Sequence, residues 1–116
     1  MLKKIITLST LFIIFIVSSY AASYNSNTII NAVRQNDISV VRDCLIKGIS
    51  PNTQDNTGYP ILLTAISMGF SDIACMLIRN GANVNVAYNM GMNSLMLAIN
   101  KNMEEVAKML IDHNVD

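Results

Sequence analysis

The sequence predicts an all-α fold: a solenoid of about three 33-residue helix-turn-helix units joined by β-hairpin-like turns. Three observations lead there. Past Asn25, apolar residues return every 33 positions, as in Ile29, Leu62 and Leu95, in Ala32, Ala65 and Ala98, and in Val33, Ile66 and Ile99. The breakers keep the same step, with Gly48 matched by Gly81, Gly58 by Gly91 and Asn52 by Asn85. Within the period, apolar residues fall at the three-to-four spacing of an amphipathic helix. A generic small helical bundle would explain the helices, but not a register shared by Ala, Gly, Asn and aliphatic positions.

The units are placed at about 25–54, 55–87 and 88–116, together forming one domain over 22–116. The first opens on "NTII" at 27–30, with no hairpin glycine before it. In the second, residues 60–68 carry Ile61, Leu62, Ala65 and Ile66 on one helical face. Pro60 suits a helix start because its missing N–H is not needed there. Gly69 breaks the run, Ser71 is expected to cap the next helix, and Ile73, Ala74, Leu77 and Ile78 form its apolar stripe. In the third unit Asn102 is expected as the cap, paired with Glu105 in a capping box. Glu104 and Glu105 also favour the positive end of the helix dipole.

The stretch "NGANVN" at 80–85 answers a steric need. A helix that stops abruptly calls for a residue of positive φ just beyond its end, which glycine adopts without cost. Gly48 and Gly81 are expected to do this, with Asn114 in the equivalent place of the third unit. The chain then runs outward to turns at 55–58 (Asp-Asn-Thr-Gly) and 88–91 (Tyr-Asn-Met-Gly).

The first residues form a separate segment. Lys3 and Lys4 precede an apolar run over 5–17, and Ser19-Tyr20-Ala21 places small residues before a cut after Ala21. That is the layout of a secretory signal peptide over 1–21, giving an exported (periplasmic or secreted) protein. The alternatives are a membrane anchor and a buried helix. A run of thirteen residues at 1.5 Å each falls short of the roughly 30 Å of hydrocarbon in a bilayer. The eight basic and eight acidic residues balance; cleavage would leave six against eight, an unpromising charge for binding nucleic acid.

Over roughly residues 25–116 the chain resembles the ankyrin-repeat family. "NGANVN" at 80–85 is similar to the family's helix-exit sequence, and "TGYPILLTAISMGFSDIACMLI" at 57–78 follows its Gly, Ala, Gly and Leu-rich pattern. The usual Thr-Pro-Leu-His opening stands here as "PILL" at 60–63 and "NSLM" at 93–96. The departure removes the family's Thr and His hydrogen bonds within and between units but leaves the hydrophobic stacking. With an eroded first unit and a last one ending at Asp116 before a capping helix, about two complete units and marginal stability are expected.

No catalytic, metal or cofactor constellation is expected. His113 is the only histidine, with no cysteine or second histidine near it in the sequence to complete a metal site. The carboxylates are scattered over caps, turns and outer faces, and no phosphate loop, nucleophile elbow or HExxH occurs. By the register, Cys44 falls with Leu77 and Leu110 and is expected in the core, whereas Cys75 falls with Arg42 and Lys108 and is expected to face solvent. Helices on neighbouring units pack about 8–10 Å apart, beyond the roughly 7 Å limit between Cα atoms for a disulfide. Both are expected as free thiols, Cys75 the more reactive or an intermolecular linker.

What the resemblance implies is a non-catalytic module that binds a protein, with no small-molecule substrate and no cofactor. Its contact surface, carried over to this chain, comprises the hairpin tips Asn56, Thr57, Asn89 and Met90, then Tyr59 and Met92, and the inner-helix positions Ser67, Met68, Asn100 and Lys101. Tyr59, Met68, Met90 and Met92 would supply an apolar anchor. Met76 and Met109 share a register position and are expected to pack. The alternatives are a membrane-tethered adaptor with an uncleaved N-terminus, and a decayed remnant of a longer repeat protein.

Overall fold

The computed structural model describes residues 24–89 and 91–113. The expected signal peptide, Met90 and Asn114 lie outside them. Among the described residues six helices follow in sequence: α1 (Ser26–Arg34), α2 (Ile38–Ile46), α3 (Ile61–Ser67), α4 (Ser71–Arg79), α5 (Ser94–Asn100) and α6 (Glu104–Asp112). They form three antiparallel pairs stacked side by side. The inner row runs α1, α3, α5 and the outer row α2, α4, α6, each helix against the next in its row. The expected all-α solenoid is what the chain forms, with three complete helical pairs where two and ragged ends were anticipated.

Local chemistry explains where the helices begin and end. Asn25 opens α1 by accepting hydrogen bonds from the N–H groups of Asn27 (2.9 Å) and Thr28 (3.2 Å), while the Thr28 hydroxyl accepts from the Asn25 N–H. This capping box satisfies the first N–H groups of α1 that have no partner within the helix. Asp37 caps α2 through the Val40 N–H, and Asn93 caps α5 through the Met96 N–H. Pro60 starts α3 in extended conformation, as its fixed φ and missing N–H allow.

Between the helices of each pair lies one left-handed residue, and its place repeats: Asn36 (φ 55°), Gly69 (φ 76°) and Asn102 (φ 56°). The following N–H groups of Asp37, Phe70 and Met103 donate back to the carbonyls of Ala32, Ala65 and Ala98 at 2.8–2.9 Å. Two expected caps are corrected here. The N-cap of α4 is Phe70, with Ser71 already the first helical residue, and the N-cap of α6 is Met103. Asn102 cannot cap because its backbone is committed to closing α5. The acidic first turn of α6, Glu104 and Glu105, is as expected. Gly48 and Gly81 take positive φ after α2 and α4, also as expected.

The hairpins complete the frame. Gly58 donates to the Asp55 carbonyl, and a single antiparallel bridge joins Gln54 to Pro60. The second is a true two-stranded ribbon, β1 (Ala87–Tyr88) paired with β2 (Met92–Asn93), Tyr88 opposite Met92. The core is continuous through the three pairs and centres on Ile61, Leu62, Ile66, Ile73, Leu77 and Ile78. Met76 and Met109 pack against it, as anticipated. Both cysteines are free, and both are buried. The expected exposure of Cys75 is therefore overturned. At the same register position Arg42 reaches solvent along its long stem and Lys108 has no further helix against it among the described residues, whereas the short Cys75 side chain stays beneath the neighbouring helix α6. Burial pushes the Cys44 and Cys75 thiols above the usual thiol range, with Asp43 and Glu105 respectively adding to it. A reactive Cys75 or a linker role has no support in this geometry.

Candidate interaction face

The hairpins and the inner row enclose two grooves. Asp55 organises the first. Its Oδ1 accepts from the Thr57 hydroxyl (2.6 Å) and N–H (2.9 Å) and from the Tyr59 N–H (3.0 Å). Its Oδ2 lies 3.0 Å from the Arg34 guanidinium on α1. These partners, the Thr57 hydroxyl foremost and then the Tyr59 N–H, hold the carboxyl below its ordinary value despite some opposing desolvation. The groove between α1 and this turn is lined by Asn27, Asn31, Arg34, Asp55, Asn56 and Thr57, with Ile30 at its floor. It is polar and pre-shaped by the Asp55 network.

The second groove is apolar. Tyr59 and Tyr88, from successive hairpins, meet edge to face with ring centroids 4.7 Å apart and planes at 89°. Such a pair is worth about 0.5–1.5 kcal/mol beyond its burial. Each phenol is anchored. The Ser67 hydroxyl donates to the Leu63 carbonyl at 2.7 Å and so accepts from the Tyr59 hydroxyl at 2.9 Å; the Tyr88 hydroxyl donates to the Thr57 carbonyl at 3.3 Å. Beside the rings stand Met92 (44% exposed) and Met96 (56% exposed), with Asn89 and Gly91 at the hairpin end. Rigid aromatic rings next to adaptable thioethers make a surface that can seat an apolar side chain of another molecule.

Of the residues expected at the contact surface, Tyr59, Asn89 and Met92 share the apolar groove, and Asn56 and Thr57 share the polar one. Ser67 is half-buried and positions Tyr59. Met68, Asn100 and Lys101 are exposed at the C-terminal ends of α3 and α5 and line neither groove. Met90 lies outside the described residues. Sequence reasoning missed Tyr88 and Met96 as members of this surface. Tyr88 shares its register position with Asp55, so the repeat offered no signal for it, and Met96 stands where the buried Leu63 stands in the preceding pair.

No group of three or more metal-ligating side chains gathers among the described residues, and no helix among them is long and apolar enough to cross a membrane. The sequence model for ankyrin repeats (3 copies) matches residues 29–116. The chain belongs to the ankyrin-repeat family. It is similar to an ankyrin repeat protein of Fowlpox virus (strain NVSL), 35% identical over 60 residues covering 52% of this chain and 8% of that protein. An ankyrin repeat-containing protein of Schizosaccharomyces pombe is 40% identical over 47 residues, covering 40% of this chain and 23% of that one. The crystal structure of an ankyrin repeat domain from Acinetobacter baumannii AYE superposes with a TM-score of 0.70 at 28% identity, over 76% of this chain and 47% of that one. The chain thus spans less than half the length of each of these relatives. Ankyrin repeats are generally protein–protein interaction modules, and the family is typically a non-enzymatic scaffold.

Proposed function

We propose that this chain is a non-catalytic binding module that takes a partner protein along its hairpins and inner helices. The observation that supports it best is the apolar groove of Tyr59, Tyr88, Met92 and Met96, whose rings are held by hydrogen bonds while both methionines face solvent. The tyrosines act as a rigid anchor and the methionines adapt to the partner's side chain. The neighbouring polar groove, with Asn27, Asn31, Asn56 and Thr57, supplies donors and acceptors that select for register. In the same reading the N-terminal segment is cleaved near Ala21 and the module works outside the cytoplasm; retained, the segment would make it a tethered adaptor.

A photo-crosslinking residue placed at Asn89, beside the groove, tests the contact face against the same residue at Lys108 on the outer row. Irradiation in the native host should give a protein adduct from the first position that is lost on adding Tyr88→Ala. Identical adducts from both positions, or none from Asn89, would defeat the reading. The mass of the native chain decides its processing, since a soluble species beginning at Ala22 supports export and a full-length membrane species supports the tether.

A further inference from the structure

Charge is divided between the two rows of helices. The inner helices α1, α3 and α5 and the two hairpins carry one carboxylate, Asp55, against the cations Arg34 and, just after α5, Lys101. Every other carboxylate among the described residues lies on α2, α4 or α6 or caps α2, where acidic groups outnumber basic ones. The side that holds the two grooves is therefore the basic side. Within the polar groove the cation is the presented member of its ion pair, with the Arg34 side chain 49% exposed and that of Asp55 15%. Asp55 is occupied, its Oδ1 by Thr57 and Tyr59 and its Oδ2 by Arg34. It meets the guanidinium at one nitrogen, Nη2, so the pair orients the planar fork and leaves further N–H donors for a second acceptor. The amides of Asn31 and Asn56 stand in the same groove.

We propose that the partner enters as an extended segment bearing two anchors, a carboxylate side chain taken by Arg34 and a bulky apolar side chain taken by the groove of Tyr59, Tyr88, Met92 and Met96. This rests on the binding reading above and adds the chemistry of the partner. The two grooves are placed for one segment. Asp55 and Asn56 at the rim of the polar groove fall one 33-residue period before Tyr88 and Asn89 at the rim of the apolar one. The wall between them is shared, since the Tyr88 hydroxyl donates to the Thr57 carbonyl. One to two repeat spacings of about 8–10 Å separate Arg34 from the aromatic pair. An extended chain crosses that in about three to six residues. A single guanidinium, already half-neutralised by Asp55, suits a monoanionic carboxylate; a phosphate group calls for a cluster of cations.

Selection of a displayed library of random peptides, about twelve residues long so as to span both grooves, on the full 116-residue chain tests it. The enriched peptides should pair an Asp or Glu with a bulky apolar residue at that separation, and Tyr88→Ala should abolish their binding. In fluorescence anisotropy, replacing the peptide's Glu by Gln should weaken binding to the parent about tenfold or more, and more at low salt than at high. Against Arg34→Gln the same replacement should change nothing, which separates direct contact from a merely disturbed turn. Peptides that need Tyr88 but show no acidic position, or a Glu preference that survives Arg34→Gln, would overturn the proposal and leave the apolar groove as a binding site. A selection that yields no Tyr88-dependent peptide would overturn both.

Discussion

At the scale of single residues, Asp55 joins a turn to a helix. One carboxylate oxygen holds Thr57 and Tyr59 in the turn and the other meets Arg34 on α1. Its folded pKa lies below the value of about 4 that an aspartate has in an unfolded chain. A depressed folded pKa contributes stability that is present above the unfolded value and lost as pH falls through the folded one. Asp55→Asn should therefore be less stable than the parent at neutral pH, and the gap should close as the pH drops below about 4. Urea midpoints at neutral and acid pH check this; a gap constant across that range would mean the charge is irrelevant. Cys75 gives the opposite lesson at the same scale. Its register position spoke for exposure, but the short thiol is covered by the next helix, while the long Arg42 reaches past its own neighbour.

At the scale of elements, the polar stitching that the altered "PILL" and "NSLM" openings change is carried by other side chains. Asn52, in the loop after α2, accepts from the Asn83 N–H at 2.6 Å and reaches the Gly81 carbonyl at 3.5 Å, tying the exit loops of the first two pairs together. Ser94, fully buried at the start of α5, donates to the Val84 carbonyl. Ser94 answers a buried carbonyl that would otherwise lose its partner, while Asn52 ties two exposed loops together. Asn52→Ala should cost about 0.5–1.5 kcal/mol, whereas Asn56→Ala at the exposed hairpin tip should stay within about 0.5 kcal/mol. Denaturant unfolding of the two variants tests this, and equal losses would show that Asn52 does not bridge the loops. Helix caps belong to this scale too. Ser71 and Asn102 have the right side chains, yet the conserved geometry of the turn in all three pairs puts the cap at the next residue along the frame set by Asn36, Gly69 and Asn102.

For the whole molecule, stability is a sum of helical pairs and the contacts between neighbours. The same register position therefore has different weight along the stack. Ile66 is covered from both sides, while Ile99 lies open at the end. Ile66→Ala should cost about 2–5 kcal/mol, a large part of what a small domain has. Ile99→Ala should cost less than about 1 kcal/mol. Urea unfolding of the pair settles it, and matched losses would mean that the end face is covered within a single chain.

The chain's own sequence determined the class of fold, the family, the helical stripes and the glycines after α2 and α4. These depend on spacing and on the φ a residue tolerates, which are properties of the local chain. Tertiary structure alone decided the Tyr59–Tyr88 contact, the burial of Cys75, the Asn52 bridge and the contrast between Ile66 and Ile99. The residues of the aromatic contact and the bridge lie 29 to 31 apart in sequence and meet because one pair is laid against the next. A repeat makes equivalent positions look alike. Whether such a position is interior, rim or open face depends on which neighbour covers it, and that is set by stacking.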